Sequence, residues 1–363
     1  MHRPTIQRLA AALAISVLAS TSTSAANFCV SSATQLEAAI DAARSNYEDD
    51  VIKIHIGQYD LPDGLTYYGQ LAETGSLYIS GGWLSFPSAC ATQFPEAGLT
   101  VLNGMGTGLG LAIRVQSPSH GIVSIGNLSI LDTLSSSGGA GGLSLNVPTA
   151  APQPLSADIY NLRVQHCENH LTAGCGISAR GPAHIRLRNV LVGDTQSDDS
   201  NAGGGVLVRQ NASGSLQLQH ATIAGNSTLN NGRGGLYVET DIPVVVENSI
   251  FYGNPYSGSV AAADCDLVLR SNTTVRHSIV DRLCGTPTPG QLVSVVDIDP
   301  GFVGADYRFG PGSPALDAGL AVTTIPSIPK DLAGNDRVQG GLPDLGAYEG
   351  AVLPDLMLVD GFE

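Results

Sequence analysis

The chain has 363 residues, 44 glycines, a 13% charged share and a formal charge of −15 from 17 basic and 32 acidic residues. Charged residues usually make up about 25% of a chain and glycine about 7%, so this composition favours turns and stacked strands over amphipathic helices. The 43% apolar share excludes global disorder. The scarcity of basic residues excludes a phosphate-tracking surface for nucleic acid and disfavours nonspecific binding to anionic membranes.

Arg3 and Arg8, the apolar run Leu9 to Ala19 and the small residues Ser24-Ala25-Ala26 read as a secretory signal peptide over 1–26, cleaved near Ala26. The run is too short to span a bilayer, and no later run is long enough, so no transmembrane segment is expected. Residues 27–100 then read as a cap and first strands. Ser32 to Arg44 is a predicted helix: Ser32 and Gln35 fit a capping box, and Leu36, Ala39, Ile40 and Ala43 share one face. Ile52, Ile54 and Ile56 alternate as a first strand, and Leu77 to Ile79 is another, followed by the single Trp83, which suits core or cap packing.

Residues 101–290 carry a repeat. Six segments share an apolar-any-apolar-any pattern closed by Asn or His: Asn127, Asn161, Asn189, His220, Asn248 and His277, spaced by 34, 28, 31, 28 and 29 residues. A second motif, Gly or Asp followed by an alternating strand, begins at Gly142, Gly176, Gly205, Gly235 and Asp266. Two alternating strands recurring every 30 or so residues describe a stacked coil. One coil cannot bury its own apolar face, but stacking makes a continuous core. The expected class is all-β: a right-handed parallel β-helix with a short N-terminal cap helix. Asn tolerates the left-handed turn conformation and can bond its counterpart in the next coil. A β-propeller would need about four strands per ~40 residues.

Six cysteines remain after leader removal: Cys29, Cys90, Cys167, Cys175, Cys265 and Cys284. An even count in an exported chain implies disulfides, with 15 connectivities open. Sequence proximity favours Cys29–Cys90, Cys167–Cys175 and Cys265–Cys284.

The coils resemble the right-handed β-helix proteins of the pectate-lyase-like superfamily. Gly234-Gly235-Leu236-Tyr237 with Phe251-Tyr252-Gly253-Asn254 also looks like the repeats of polymorphic outer-membrane proteins. Residues 291–350 hold Asp299-Pro300-Gly301-Phe302, Gly312-Ser313-Pro314-Ala315-Leu316-Asp317-Ala318-Gly319, Asp331-Leu332-Ala333-Gly334-Asn335-Asp336-Arg337 and Asp344-Leu345-Gly346-Ala347-Tyr348-Glu349. These motifs resemble the choice-of-anchor Q domain of bacterial secreted β-helices. The resemblance implies a location outside the cell or at its surface, with 351–363 as a tail.

No catalytic motif of the resembling lyases or hydrolases is found. The adjacent pairs Asp49-Asp50 and Asp198-Asp199 lack the companions of a paired-carboxylate site. His166-Cys167-Glu168-Asn169-His170 reads as a disulfide-pinned loop. No cofactor is called for. Calcium is the alternative at Asp297, Asp299, Asp317, Asp331, Asp336 and Asp344, where Asx turns explain the same residues. The sharper candidate is an outward column of Arg180, Arg209 and Arg270, interrupted by Glu239, with Arg186, Arg188 and Arg276 outward on the other strand. Such arginines grip carboxylates of acidic polysaccharides, and Tyr237 and Tyr160 can add sugar contacts. The expected protein is a monomeric adhesion or glycan-binding protein; a polysaccharide lyase or hydrolase is the alternative, and a purely structural surface protein the third reading.

Overall fold

The computed structural model describes residues 25–350 except 87–88, 118, 136–139, 149–152, 171–173, 199–202, 210–212, 229–232 and 256–264. The leader up to residue 24, Asp199 and the tail 351–363 lie outside the described residues.

The chain is a right-handed parallel β-helix. One face is a stack of eight parallel strands: Leu65–Tyr68, Leu111–Arg114, Leu143–Asn146, Ile177–Arg180, Val206–Arg209, Leu236–Val238, Leu267–Val268 and Leu283–Cys284. The other is a bent sheet whose long members are Val123–Ser135, Leu155–Asn169, Ala183–Gly193 and Ser215–Ala224. It continues through Val244–Glu247 and Thr273–Val280 to Leu292–Val296. Inward residues alternate as the repeat requires: Ile125, Ile159, Leu187, Leu218, Val246 and Val275 are all buried.

The bend is made by the ladder. Asn127, Asn161, Asn189, His220, Asn248 and His277 have φ between 44° and 55°, a left-handed region that Asn visits at low cost. Asn161 Nδ2 donates to Asn127 Oδ1 at 2.8 Å, and Asn189 Nδ2 to Asn161 Oδ1 at 2.9 Å. Ser294, with φ 52°, is a seventh member that the repeat pattern did not reveal. A second left-handed corner lies five positions after the first, at Asp132, His166, Asp194, Gly225 and Gly253.

The open end of the stack at the N-terminus is closed by the helix Ala33–Ala43. Ser32 accepts from the Gln35 amide, and Gln35 Oε1 accepts from the Ser31 amide at 2.8 Å. Leu36, Ala39, Ile40 and Ala43 are buried as the sequence pattern predicts.

Residues 297–349 do not form another coil. They fold back along the outside of the bent sheet as a lateral clasp. Leu191 packs with Leu332, Ala347 and Tyr348, while Ile250 and Ile279 pack with Ala315 and Leu345. The clasp also reads the ladder. Leu320 N donates to Asn248 Oδ1 at 2.7 Å, Asn248 Nδ2 donates to Leu320 O at 3.0 Å, and Arg337 donates to Asn189 Oδ1 at 2.7 Å.

Disulfides join Cys29–Cys90 and Cys265–Cys284. The third expected bridge, Cys167–Cys175, is absent: both are buried thiols. The Cys167 thiol turns to the Gln165 carbonyl at 3.5 Å, and burial pushes it up to about 12, so it stays protonated and unreactive.

The clasp encloses a charge cluster of Arg337, Glu349, Asp344 and Asp331. Burial, reinforced by the Asp344 charge, pushes Glu349 up to about 7 against Arg337 and the amides it accepts from. In the unfolded chain the same carboxyl titrates near 4.3. Below that value both states are protonated and the buried acid carries no ionisation penalty. As pH rises from about 4.3 to 7 the unfolded state ionises first and stability falls, by on the order of 4 kcal/mol for a shift of this size. Asp50, raised by burial to about 6, acts in the same direction. The mature protein is therefore expected to melt at a higher temperature at pH 5 than at pH 8, with Glu349→Gln narrowing the gap. A melting temperature that climbs to pH 8, or an unchanged gap in the variant, contradicts this.

Candidate functional site

On the outer face of the bent sheet, before the ladder turn, residues three positions ahead of each ladder member stand in one column. Register pairs Tyr78 with Ser124, Ser124 with Asp158, Asp158 with Arg186 and Arg186 with Gln217. Ser156, His184 and Ser215 form a flanking column. On the other flank register pairs Gly126 with Tyr160, Tyr160 with Arg188 and Arg188 with Gln219. Parallel strands set these columns about 4.8 Å apart per coil. The face is hollowed into a groove of about 530 Å³ lined by Tyr78, Ser124, Asp158, His184, Arg186 and Gln217 among others.

Arg188 grips Asp158 through a fork, Nε to Oδ1 at 3.2 Å and Nη2 to Oδ2 at 2.5 Å. That fork fixes the Asp158 carboxylate beside Arg186, whose Nε donates to Gln217 Oε1 at 3.2 Å. His184 Nδ1 lies 2.8 Å from Ser215 Oγ. Tyr160 lies over Gly126, where a Cβ would strike its ring. Burial, helped by the Asp158 charge, raises the Tyr160 phenol, which stays protonated at neutral pH.

The clasp builds the wall beside these columns. Arg188 Nη1 donates to Pro326 O at 3.3 Å and Gln219 Nε2 to Ile325 O at 2.8 Å. The Glu247 carboxylate accepts from Thr324 N at 2.9 Å, Thr324 Oγ1 at 2.7 Å and Ile325 N at 3.2 Å. Arg276 Nη1 approaches Glu247 at 3.6 Å, so Arg276 serves the clasp side.

The other arginines expected from sequence stand on the opposite sheet. Register pairs Asn146 with Arg180 and Arg180 with Arg209. Arg209 Nε pairs with Glu239 at 3.2 Å, and Arg270 donates to the Val238 and Glu239 carbonyls at 3.2 and 3.1 Å. Arg209 and Arg270 are thus engaged within the protein. Tyr237 carries the Arg233 guanidinium over its ring at 4.2 Å. The structure therefore brings Arg186, Arg188 and Tyr160 together and separates them from Arg180, Arg209, Arg270 and Tyr237. Asp158, His184, Ser215, Gln217 and Tyr78 escaped the sequence reading. Counting three and five positions back from each ladder residue would have found four of them.

The C-terminal aspartates bond mainly to backbone amides. Asp299 accepts from Gly301 N at 2.8 Å, Asp317 from Gly341 N at 2.8 Å, Asp331 from Asn335 N at 2.7 Å, and Asp344 from Asp317 N at 2.6 Å. Asp336 pairs with Lys330 at 2.7 Å, and Asp297 lines a cleft at the far end of the stack. His166 pairs with Asp132 at 3.2 Å and His170 with Asp198 at 2.5 Å, each across to a neighbouring coil.

No protein-family model matches the chain, and no curated protein matches it in sequence. The architecture alone assigns the class, a right-handed parallel β-helix. Among the described residues no helix is long and apolar enough to cross a membrane.

Proposed function

We propose that the chain is an exported β-helix protein that binds extracellular glycans in the groove over Tyr78, Ser124, Asp158, Arg186 and Gln217. The in-register column carries this reading. It offers a sugar chain lying along the axis an aromatic ring, hydroxyls, an amide and a guanidinium within one hollow. Arg186 is the carboxylate-binding group, which points to uronate-containing polysaccharides. The signal-peptide pattern and the disulfides support export. The resemblance of the coils to the pectate-lyase-like superfamily, and of 297–349 to the choice-of-anchor Q domain, supports a place at or outside the cell surface. Cleavage is the second reading, favoured by His184, a titratable group beside Arg186 in the groove.

The test is binding of the mature protein to polygalacturonate and alginate at low and high salt, with unsaturated and reducing ends followed in parallel. Binding should weaken with salt. Arg186→Ala should weaken it about five- to tenfold, on the scale of a partly solvated ionic contact near 1 kcal/mol, while Arg180→Ala/Arg209→Ala should bind as the parent does. Equal binding by Arg186→Ala and parent, or a loss confined to the Arg180/Arg209 variant, removes the groove as the site. New chain ends that depend on His184 would establish cleavage.

A further inference from the structure

A second constellation lies at the N-terminal end of the stack, away from the groove. Cys29 is exposed on the strand Ala26–Val30 and pairs in register with Lys53, two residues before His55. His55 Nε2 lies 3.1 Å from Cys29 Sγ. Cys90 is buried, and its sulfur sits 3.6 Å from the Lys53 carbonyl. The two sulfurs and a His55 ring nitrogen all lie within 4.8 Å of one another. The other bridge, Cys265–Cys284, has no such arrangement among the described residues.

The geometry points to a metal site masked by the Cys29–Cys90 disulfide. When the bridge opens, Cys29, Cys90 and His55 become a three-ligand site for a zinc-class divalent cation. The opening is a two-electron reduction: an external dithiol transfers two electrons and two protons, becomes a disulfide itself, and leaves two protein thiols. Cation binding then releases both thiol protons, and neutral His55 supplies its Nε2 lone pair. Zn–S bonds of about 2.3 Å and Zn–N bonds of about 2.0 Å in a tetrahedron place the sulfurs about 3.8 Å apart and each about 3.5 Å from the nitrogen. The sulfurs need only relax from bonded to van der Waals contact, and the cysteine Cα atoms, 5.9 Å apart, need not move far. The exposed side of Cys29 leaves the fourth position to water, the arrangement of an open rather than a closed zinc site. Soft thiolates with one imidazole select against calcium and magnesium.

The test uses the full mature chain, oxidised or reduced anaerobically with a phosphine, and Co(II) as the probe. The reduced protein should bind one equivalent of Co(II) with thiolate-to-metal and d–d absorption, and Zn(II) should displace it. The oxidised protein should show neither band. Cys265→Ser/Cys284→Ser should bind as the parent does. His55→Ala and His55→Gln should bind at least tenfold more weakly, and Cys29→Ser/Cys90→Ser should abolish the bands even though the thiols of Cys167 and Cys175 remain. A reduced protein that keeps its β-sheet circular dichroism yet binds no Co(II) overturns the site, as does equal binding by the His55 variants. Loss of the β-sheet signal on reduction also overturns it, because the site requires the coils to hold the ligands in place.

Discussion

Arg337→Ala should detach the clasp and cost about 3–5 kcal/mol, the usual penalty for removing one member of a buried ion pair. Arg337 is 4% exposed. It donates to the Gly346 carbonyl at 3.1 Å, the Ala347 carbonyl at 2.8 Å and Asn189 Oδ1 at 2.7 Å, and lies 3.7 Å from Glu349. Burial lowers its own pKa to about 10, still well above neutrality. Truncation leaves Glu349, Asp344 and Asp331 without their cation and takes a donor from Asn189 Oδ1 and the Gly346 carbonyl, a desolvation cost, while the Ala347 carbonyl keeps the Leu332 amide. The clasp touches only the outside of the solenoid, so its loss need not unfold the coils. Calorimetry should show an early transition for the variant, and limited proteolysis should cut within 297–349 while the coils survive. Unchanged melting and unchanged protease resistance would contradict the clasp's dependence on this residue.

Asn161→Ala should be the most damaging single change within the coils. Asn161 is 1% exposed with φ 45°. Its amide bridges two coils, donating to Asn127 at 2.8 Å and accepting from Asn189 at 2.9 Å, and it also reaches the Pro95 carbonyl at 3.3 Å. Alanine removes these bonds and keeps a Cβ in the left-handed conformation without the short polar side chain that lets Asn occupy it at low cost, a strain of about 1–2 kcal/mol. The orphaned buried groups add about 1–3 kcal/mol, for a total near 4 kcal/mol. Asn161→Gly loses the bonds but not the backbone compatibility, and should be less destabilising than alanine by about 1 kcal/mol. Denaturant unfolding of the two variants separates the terms, and an alanine variant at least as stable as the glycine one would contradict the strain component.

The ladder was legible because one residue type recurs where the backbone must turn left-handed. Ser294 was not, because serine breaks the pattern and follows His277 by 17 residues instead of the 28 to 34 between earlier members. The second corner at Asp132, His166, Asp194, Gly225 and Gly253 is divided among Asp, His and Gly, so no one residue type marks it. The clasp was hidden for a different reason: its bonds span large separations, 148 residues from Asn189 to Arg337. One local trace exists. Val190-Leu191-Val192 and Ile250-Phe251 are apolar on both faces where an exposed sheet would alternate, and Leu191 and Ile250 are the outward residues that the clasp buries. The groove was half legible. Arg186, Arg188 and Tyr160 were visible as outward residues, but their partners Asp158 and His184 acquire meaning only once the columns are aligned by register.

That alignment yields the groove and its proposed ligand, and a crystal of the mature protein soaked with an oligogalacturonide tests both together. Sugar density should lie along the Ser124–Asp158–Arg186–Gln217 column, with a uronate carboxylate on the Arg186 guanidinium. Density confined to the opposite sheet over Arg180 and Arg209, or a groove left empty at saturating oligosaccharide, would contradict it.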